Sequence, residues 1–281
     1  MNGELIIVGT GIGLAGNMTV ETQTIIENSD KVLYVVADEA TGELLKSMNN
    51  NSESIYFFYD ENVDRVDTYH LMADYIMKFV RMGKKTCAAF YGHPGIFVFP
   101  AHEAMIMAKD EGYPCEMKAA VSAEDCLFAD LGIDPGRVGC QSYEVTDYLV
   151  YNRKSDPNSL LILWQVGVIG QVGFRKHFPI EKNIAILVEN LTQKYHENHI
   201  VIIYEASVYP VCPPKIIATT VKLLDYRQLS PISTLVVPPL ENSVANLEMV
   251  RMLGIPDGYI KKKSDVPSRY NPLVPSILNY I

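Results

Sequence analysis

In the stretch GTGIGLAG, Gly11-x-Gly13-x-x-Gly16 has the spacing of a loop that lays backbone N–H groups against a pyrophosphate, and Asp38 stands about where an acid would meet a ribose. That chemistry requires the glycines to straddle a strand-to-helix turn, so that phosphate meets the helix N-terminus. Here the amphipathic pattern begins only near Thr19 or Val20, which leaves the glycines in a loop ahead of the helix. A tight turn over a cleft accounts for them as well as phosphate binding does. A second stretch, FYGHPGIFV at 90–98, breaks the most apolar part of the chain with two glycines, a histidine and a proline. A buried strand that stops in this way ends at the carboxyl edge of a parallel sheet, where α/β proteins place ligands, although a plain β-to-α loop reads the same. HENH at 196–199 spaces two histidines at i, i+3 between a helix and a strand, which suits surface polar residues, and no metal is expected. Cys87, Cys115, Cys126, Cys140 and Cys212 are odd in number, widely spaced and without C-x-x-C, so neither a disulfide framework nor a zinc site is supported.

The elements that must position these residues alternate in the first half. ELIIVG, KVLYVVAD and KTCAAFYG read as buried strands, while VETQTIIENSD, TYHLMADYIMKFVRMG and AHEAMIMAKDEGY carry apolar residues at helical spacing. Gly83 and Gly112 stand at helix C-terminal stops. Alternation of this kind predicts a parallel sheet with helices on its faces. In the second half SLLILWQVG, IVIIYEA, ATTVKLLDYRQL and STLVVPP read as strands and loops, and IEKNIAILVENLTQKY as the one long helix. The chain therefore reads as α/β, with domains at 1–118 and 119–240 and an irregular, proline-rich extension at 241–281.

At 48% hydrophobic and 20% charged, the chain can bury a sizeable core. A net charge of −9 argues against a nucleic-acid or anionic-membrane partner, and KKK at 261–263 is too short to change that. No basic-then-apolar N-terminal segment is present, and the longest apolar stretch, at 160–170, is too short for a bilayer span, so a cytoplasmic protein is expected.

LIIVGTGIG, YGHPGIFV, VSAEDCLFADLGIDP, LILWQVGVIG, VIIYEA and PISTLVVPP follow in an order that resembles the tetrapyrrole-methylase-like (class III) S-adenosylmethionine methyltransferases. More narrowly, with VVADEAT at 35–41 and FFYDENVDRVDTYHLM at 57–72, the chain is similar to the borosin peptide α-N-methyltransferases over about 4–255. The resemblance implies two domains, each a mixed sheet flanked by helices, with S-adenosylmethionine in the cleft between them and S-adenosylhomocysteine as product. It implies a cofactor site at Gly92, His93, Pro94, Ile96, Val98, Ser122, Ala123, Gln165, Tyr204, Ala206, Ser233 and Thr234. Ordinary core is the alternative reading of Val98, Ala123 and Ala206. Lys118-Ala119 stands where the family has Leu-Pro, which puts the rigidity of that loop in doubt.

A peptide nitrogen is a poor nucleophile because its lone pair is delocalised into the carbonyl. Methylating it calls for a base, a cation or donor at the developing oxygen charge, and in-line placement of the methyl group. Tyr59, Arg65 and Tyr69, with Tyr91 at the strand end, supply such parts, and the resemblance supports the set as catalytic. An arginine favours a neighbouring phenolate, so Arg65 is expected to polarise Tyr59 or Tyr69, one of which takes the proton, while Tyr91 positions the amide. The short tail after MLGIPDGYI suggests a split system acting on a separate precursor with a leader region and an apolar core. Self-methylation at Leu278 or Ile281 is the rival to that reading. The resemblance also implies a homodimer. A corrin or tetrapyrrole precursor methyltransferase and a non-catalytic S-adenosylmethionine-binding module are the alternative functions.

Overall fold

The computed structural model describes residues 3–60, 63–171, 173, 179–240 and 245–256. The chain divides into two compact units. The first holds Met1–Cys126, Gln171–Phe178 and Ala206–Pro213, and the second holds the remainder. The first unit thus continues past residue 118 and takes back two later segments, and the chain passes from one unit to the other within a helix, Ala123–Leu131.

In the first unit the chain runs β1 (Glu4–Gly9), α1 (Val20–Glu27), β2 (Lys31–Val35), α2 (Glu39–Met48), β3 (Ser52–Ser54), a 3-10 turn (Tyr56–Phe58), α3 (Arg65–Arg81), β4 (Lys85–Phe90), α4 (Phe99–Asp110), β5 (Cys115–Met117) and the start of α5 (Ala123–Leu131). The sheet order is β3-β2-β4-β1-β5, and every pairing is parallel, as the strand–helix alternation predicts. A parallel strand is buried on both faces, and successive side chains alternate between them. Leu5, Ile7, Leu33, Val35, Ala88 and Phe90 pack with Met72, Ile76 and Val80 of α3 and Ala101 and Ala104 of α4. The intervening residues Ile6, Val8, Val32, Tyr34, Cys87 and Ala89 pack with Ile26 and Leu45 on the opposite face.

The second unit contains the remainder of α5, then α6 (Pro135–Val138), β6 (Cys140–Glu144), α7 (Val145–Val150), β7 (Leu160–Trp164), α8 (Ile180–Thr192), β8 (Ile200–Glu205), β9 (Lys215–Thr220), β10 (Thr234–Val237) and α9 (Leu247–Met252). Its sheet, β6-β7-β10-β8-β9, is mixed: β6 and β7 are parallel and the other pairs antiparallel. The family's mixed sheet is therefore found here, while the first unit's sheet is parallel throughout its described pairings. The core sets Leu161, Leu163, Val201, Ile203, Leu235 and Val237 against Ile184, Leu187 and Leu191 of α8.

Part of the expected irregular extension is helical. Asn246 caps α9 by accepting from the Met249 N–H at 3.1 Å. The KKK run, Leu278 and Ile281 lie outside the described residues. Lys118 does not loosen its segment. Its N–H donates to the Ile7 carbonyl at 2.9 Å, extending the β1–β5 pairing, and its ammonium lies 2.9 Å from both Glu21 and Glu116. Among the described residues no helix is long and apolar enough to cross a membrane.

Candidate active site

The break after β4 is anchored on both sides. The Tyr91 N–H donates to the Val35 carbonyl of β2 at 3.0 Å, and Gly92 exchanges two hydrogen bonds with Gly11, at 2.8 and 3.3 Å. Gly92 sits at φ +70, where a Cβ is disfavoured. The imidazole Nδ1 of His93 accepts from the Gly95 N–H at 3.0 Å and its carbonyl accepts from Ile96 at 3.1 Å, which closes the turn. Pro94 is buried beneath it, Val98 packs on the α3–α4 side of the core, and Ile96 stands 40% exposed.

The glycine loop after β1 meets this turn. Thr10, Gly11, Ile12, Gly13, Ala15, Ala37, Asp38, Thr41 and Tyr91 line a small cleft that opens to solvent. Asp38 is occupied as the cap of α2. Its two oxygens accept from the Thr41 N–H (2.9 Å) and the Thr41 hydroxyl (2.7 Å), which makes it the cap of α2. α1 starts at Val20 behind a Thr19 cap, so the glycines precede the helix as the periodicity indicates. Instead of straddling a phosphate turn, the loop pairs with the chain: the Leu14 N–H donates to the Val208 carbonyl at 2.8 Å.

Tyr59, Arg65, Tyr69 and Tyr91 all belong to this first unit and converge. Tyr59 follows the 3-10 turn; Arg65 and Tyr69 occupy the first turns of α3, which starts three residues earlier than its apolar pattern indicates because Asp64 caps it. The Tyr59 and Tyr69 rings meet edge to face at 6.4 Å, Tyr56 packs on Tyr59 at 4.9 Å, and Tyr69 stacks on Phe99 at 5.8 Å. Burial pushes the Tyr59 phenol well above its ordinary range, Tyr69, Tyr91 and Tyr56 add to the rise, and Arg65 opposes it weakly. Tyr69 is also raised by burial, but Arg65 is the next largest influence and opposes the rise, and a hydrogen bond with Tyr59 further favours its anion. Tyr91 is 49% exposed as a whole residue, yet its hydroxyl is closely surrounded, and burial raises it too. Arg65 favours the anions of Tyr59 and Tyr69, and burial outweighs it at both.

Ser122 and Ala123 open α5. Ser122 is a buried helix cap whose hydroxyl donates to Asp125 at 2.7 Å, and Asp125 accepts the Ser122 N–H at 2.7 Å. Ala206 lies in the segment that returns to the first unit.

In the second unit, register places Gln165, Tyr204, Ser233 and Thr234 at one edge of the mixed sheet, since Thr234 pairs with Tyr204 and Leu235 with Leu163. Gln165 is left-handed, at φ 59. The Tyr204 ring is buried and its hydroxyl donates to Asp130 at 2.6 Å, so this side chain serves the interior of the unit. Ser233 and Thr234 are buried. His199 is spent on the Pro238 carbonyl at 2.8 Å, and among the described residues no group of three or more His, Cys, Asp or Glu side chains could hold a metal ion.

The donor set tests which ligand these residues suit. The proposed cofactor residues bring hydroxyls, an amide, an imidazole, apolar side chains and backbone groups, a set that fits a cationic sulfonium joined to a nucleoside, the character of S-adenosylmethionine.

Three comparisons show what the chain is similar to. The model of the tetrapyrrole (corrin/porphyrin) methylases matches residues 4–209. A methyltransferase/ribosomally synthesised type I borosin cyclic peptide precursor from Coprinopsis marcescibilis is 40% identical, over 96% of this chain and 71% of that protein. The corresponding omphalotin A precursor from Omphalotus olearius is 38% identical over 99% of this chain and 69% of its own length, while a type III borosin precursor from Anomoporia bombycina is 42% identical with only 32% of its length covered. Among solved structures, uroporphyrin-III-C-methyltransferase from Thermus thermophilus aligns at TM-score 0.60 and 15% identity over 92% of this chain and 99% of that one, a likeness of fold alone.

Proposed function

Because the chain belongs to the tetrapyrrole methylase family, as a methyltransferase related to the borosin precursors, we propose that it transfers the methyl group of S-adenosylmethionine to backbone amide nitrogens of a ribosomally made peptide. The observation that carries the reading is the convergence of Tyr59, Arg65, Tyr69 and Tyr91 beside the end of β4. A carbon nucleophile on a macrocycle needs no such set; an amide that must lose its proton does.

The bound cofactor supplies an electrophilic methyl on a positively charged sulfur, and the residues proposed to hold it are Gly92, His93, Pro94, Ile96, Val98, Ser122, Ala123, Gln165, Tyr204, Ala206, Ser233 and Thr234, with Tyr204 and the capping Ser122 contributing through their backbone. Tyr69 takes the amide proton. Of the two candidates its anion is the better supported, with Arg65 the strongest opposing influence on its rise and Tyr59 hydrogen-bonded to it. Tyr59, raised further, stays protonated and supports Tyr69. Arg65 stabilises the phenolate and the imidate-like oxygen that develops on the substrate. Charge on Tyr69 raises Tyr59, so the two phenols do not ionise together. Tyr91 positions the amide.

The exposed aromatics Tyr56, Phe57 and Phe97, at 61%, 61% and 54%, support an apolar peptide as substrate, and the finer proposal is that it arrives on a separate precursor with a leader region. Incubating the purified chain with cofactor and such a precursor, followed by intact-mass and fragment analysis, tests it. Methyl groups are expected on precursor backbone nitrogens. Methyl groups on the enzyme's own chain overturn action on a separate chain, and none on either overturns the function. The functional unit is proposed to be a homodimer, and light scattering is expected to give the mass of two chains; the mass of one overturns it.

A further inference from the structure

Glu205 ends β8 between two residues of the proposed cofactor set and has no part in it. Its side chain is only 14% exposed, and a single oxygen, Oε1, accepts three donors: Ser230 Oγ at 2.8 Å, Lys215 Nζ at 2.9 Å, and Ser233 Oγ. Lys215 also donates to the Gln228 carbonyl at 2.7 Å, so the ion pair reaches the start of the same loop. The turn between the two serines is closed by the Ser233 N–H on the Ser230 carbonyl (3.0 Å) and by the Ser230 N–H on Ser233 Oγ (2.8 Å). That turn in turn holds the backbone after Gln165: the Val166 N–H donates to the Ser233 carbonyl at 3.0 Å, and a Cβ on Gly167 would lie 1.8 Å from the Ser230 carbonyl oxygen.

We propose that Glu205 is a positioning residue for the second unit's part of the cofactor site: one carboxylate fixes the 230–233 turn and, through it, the Gln165–Gly167 backbone. The proposal rests on the cofactor reading above. Ser233 Oγ is fully buried, gives its hydrogen to Glu205 and accepts the Ser230 N–H, so this side chain serves the turn and the ligand meets the backbone that the turn positions.

The test is calorimetric titration of S-adenosylhomocysteine into the folded wild-type chain and into Glu205→Gln, Ser230→Ala and Ser233→Ala, with steady-state kinetics on the same proteins. Glu205→Gln keeps the shape but replaces a charge-assisted acceptor with a neutral amide. It is expected to bind about tenfold or more weakly, raising the cofactor KM while leaving kcat at saturation near wild type. Ser230→Ala, which keeps the Glu205–Lys215 pair, is expected to weaken binding severalfold, and it carries the test if Glu205→Gln does not fold. Wild-type affinity in the folded variants overturns the positioning role. Failure of the wild-type chain to bind S-adenosylhomocysteine overturns the cofactor reading instead.

Discussion

Tyr69→Phe is expected to slow methylation by about 10²–10⁴-fold, the usual contribution of a positioned proton acceptor, with S-adenosylhomocysteine affinity and thermal midpoint close to wild type. The substitution removes one oxygen and leaves the ring stacked on Phe99 and edge-on to Tyr59, so packing is spared. Arg65→Met should cost about 10²–10³-fold, as loss of a preorganised charge-stabilising group does. The pH profile separates the proposed role from a donor role. The Tyr69 phenol lies above its ordinary value of 10, so at neutral pH its phenolate is a small fraction that grows with alkalinity. If Tyr69 accepts the proton, the wild-type rate climbs about tenfold per pH unit from neutrality until chemistry ceases to limit it, and the climb vanishes in Tyr69→Phe. A tyrosine acting only as a donor gives a flat neutral limb that falls at high pH. That outcome, or near-normal turnover in Tyr69→Phe, removes the proton-acceptor assignment. Tyr59→Phe should cost less and displace the climb to higher pH, because it withdraws the hydrogen bond that favours the Tyr69 anion.

How far the sequence anticipates this site depends on the range of the interaction that decides each part. The strands were legible because a buried parallel strand is continuously apolar: ELIIVG is β1 from Glu4 to Gly9, and KTCAAF is β4. Gly83 and Gly112 stand at φ +81 and +78 where helical patterns stop. α2 does not show in the periodicity because Gly42 and Thr41 interrupt its apolar face; its signal is Asp38 three residues before Thr41, a capping pair. β5 has three residues and partly buried side chains, too little for a pattern. At the site, the roster of tyrosines and Arg65 was legible, but their protonation was not. Arg65 lies six residues from Tyr59 and four from Tyr69, and from sequence its charge is the visible influence; the burial that outweighs it comes from α3, α4 and the strand ends packing together. Glu205 was invisible for the same reason, since its partners Lys215, Ser230 and Ser233 come from β9 and the loop before β10.

Gly9→Val is expected to have a large structural effect in the first unit, at the candidate site itself. Gly9 is the last residue of β1, paired with Phe90, and its carbonyl accepts from the buried Thr22 hydroxyl at 3.4 Å. A Cβ there would lie 2.2 Å from the Gly92 carbonyl oxygen, 2.6 Å from Ala120 Cβ and 2.8 Å from Pro94 Cδ. Two of these three obstacles are backbone or a proline ring held by it, so no rotamer change relieves them, and β1 must separate from the turn after β4. Overpacking of this kind costs about 1–3 kcal/mol when side chains can adjust, and more where they cannot. The bridge between Gly11 and Gly92 is the first casualty, and with it the placement of Tyr91 and His93. The expected result is a thermal midpoint several degrees lower, lost methylation, and faster amide exchange at Gly92 and Ile96, with exchange in β7, β8 and β10 unchanged. Gly112→Ala is the control. That residue also has a positive φ but has nothing within 4 Å of a Cβ, so it pays only left-handed strain, about 1 kcal/mol, and methylation persists. Equal behaviour of the two variants would mean that the interrupted strand is an ordinary loop and that its close approach to the glycine loop plays no part in arranging the site.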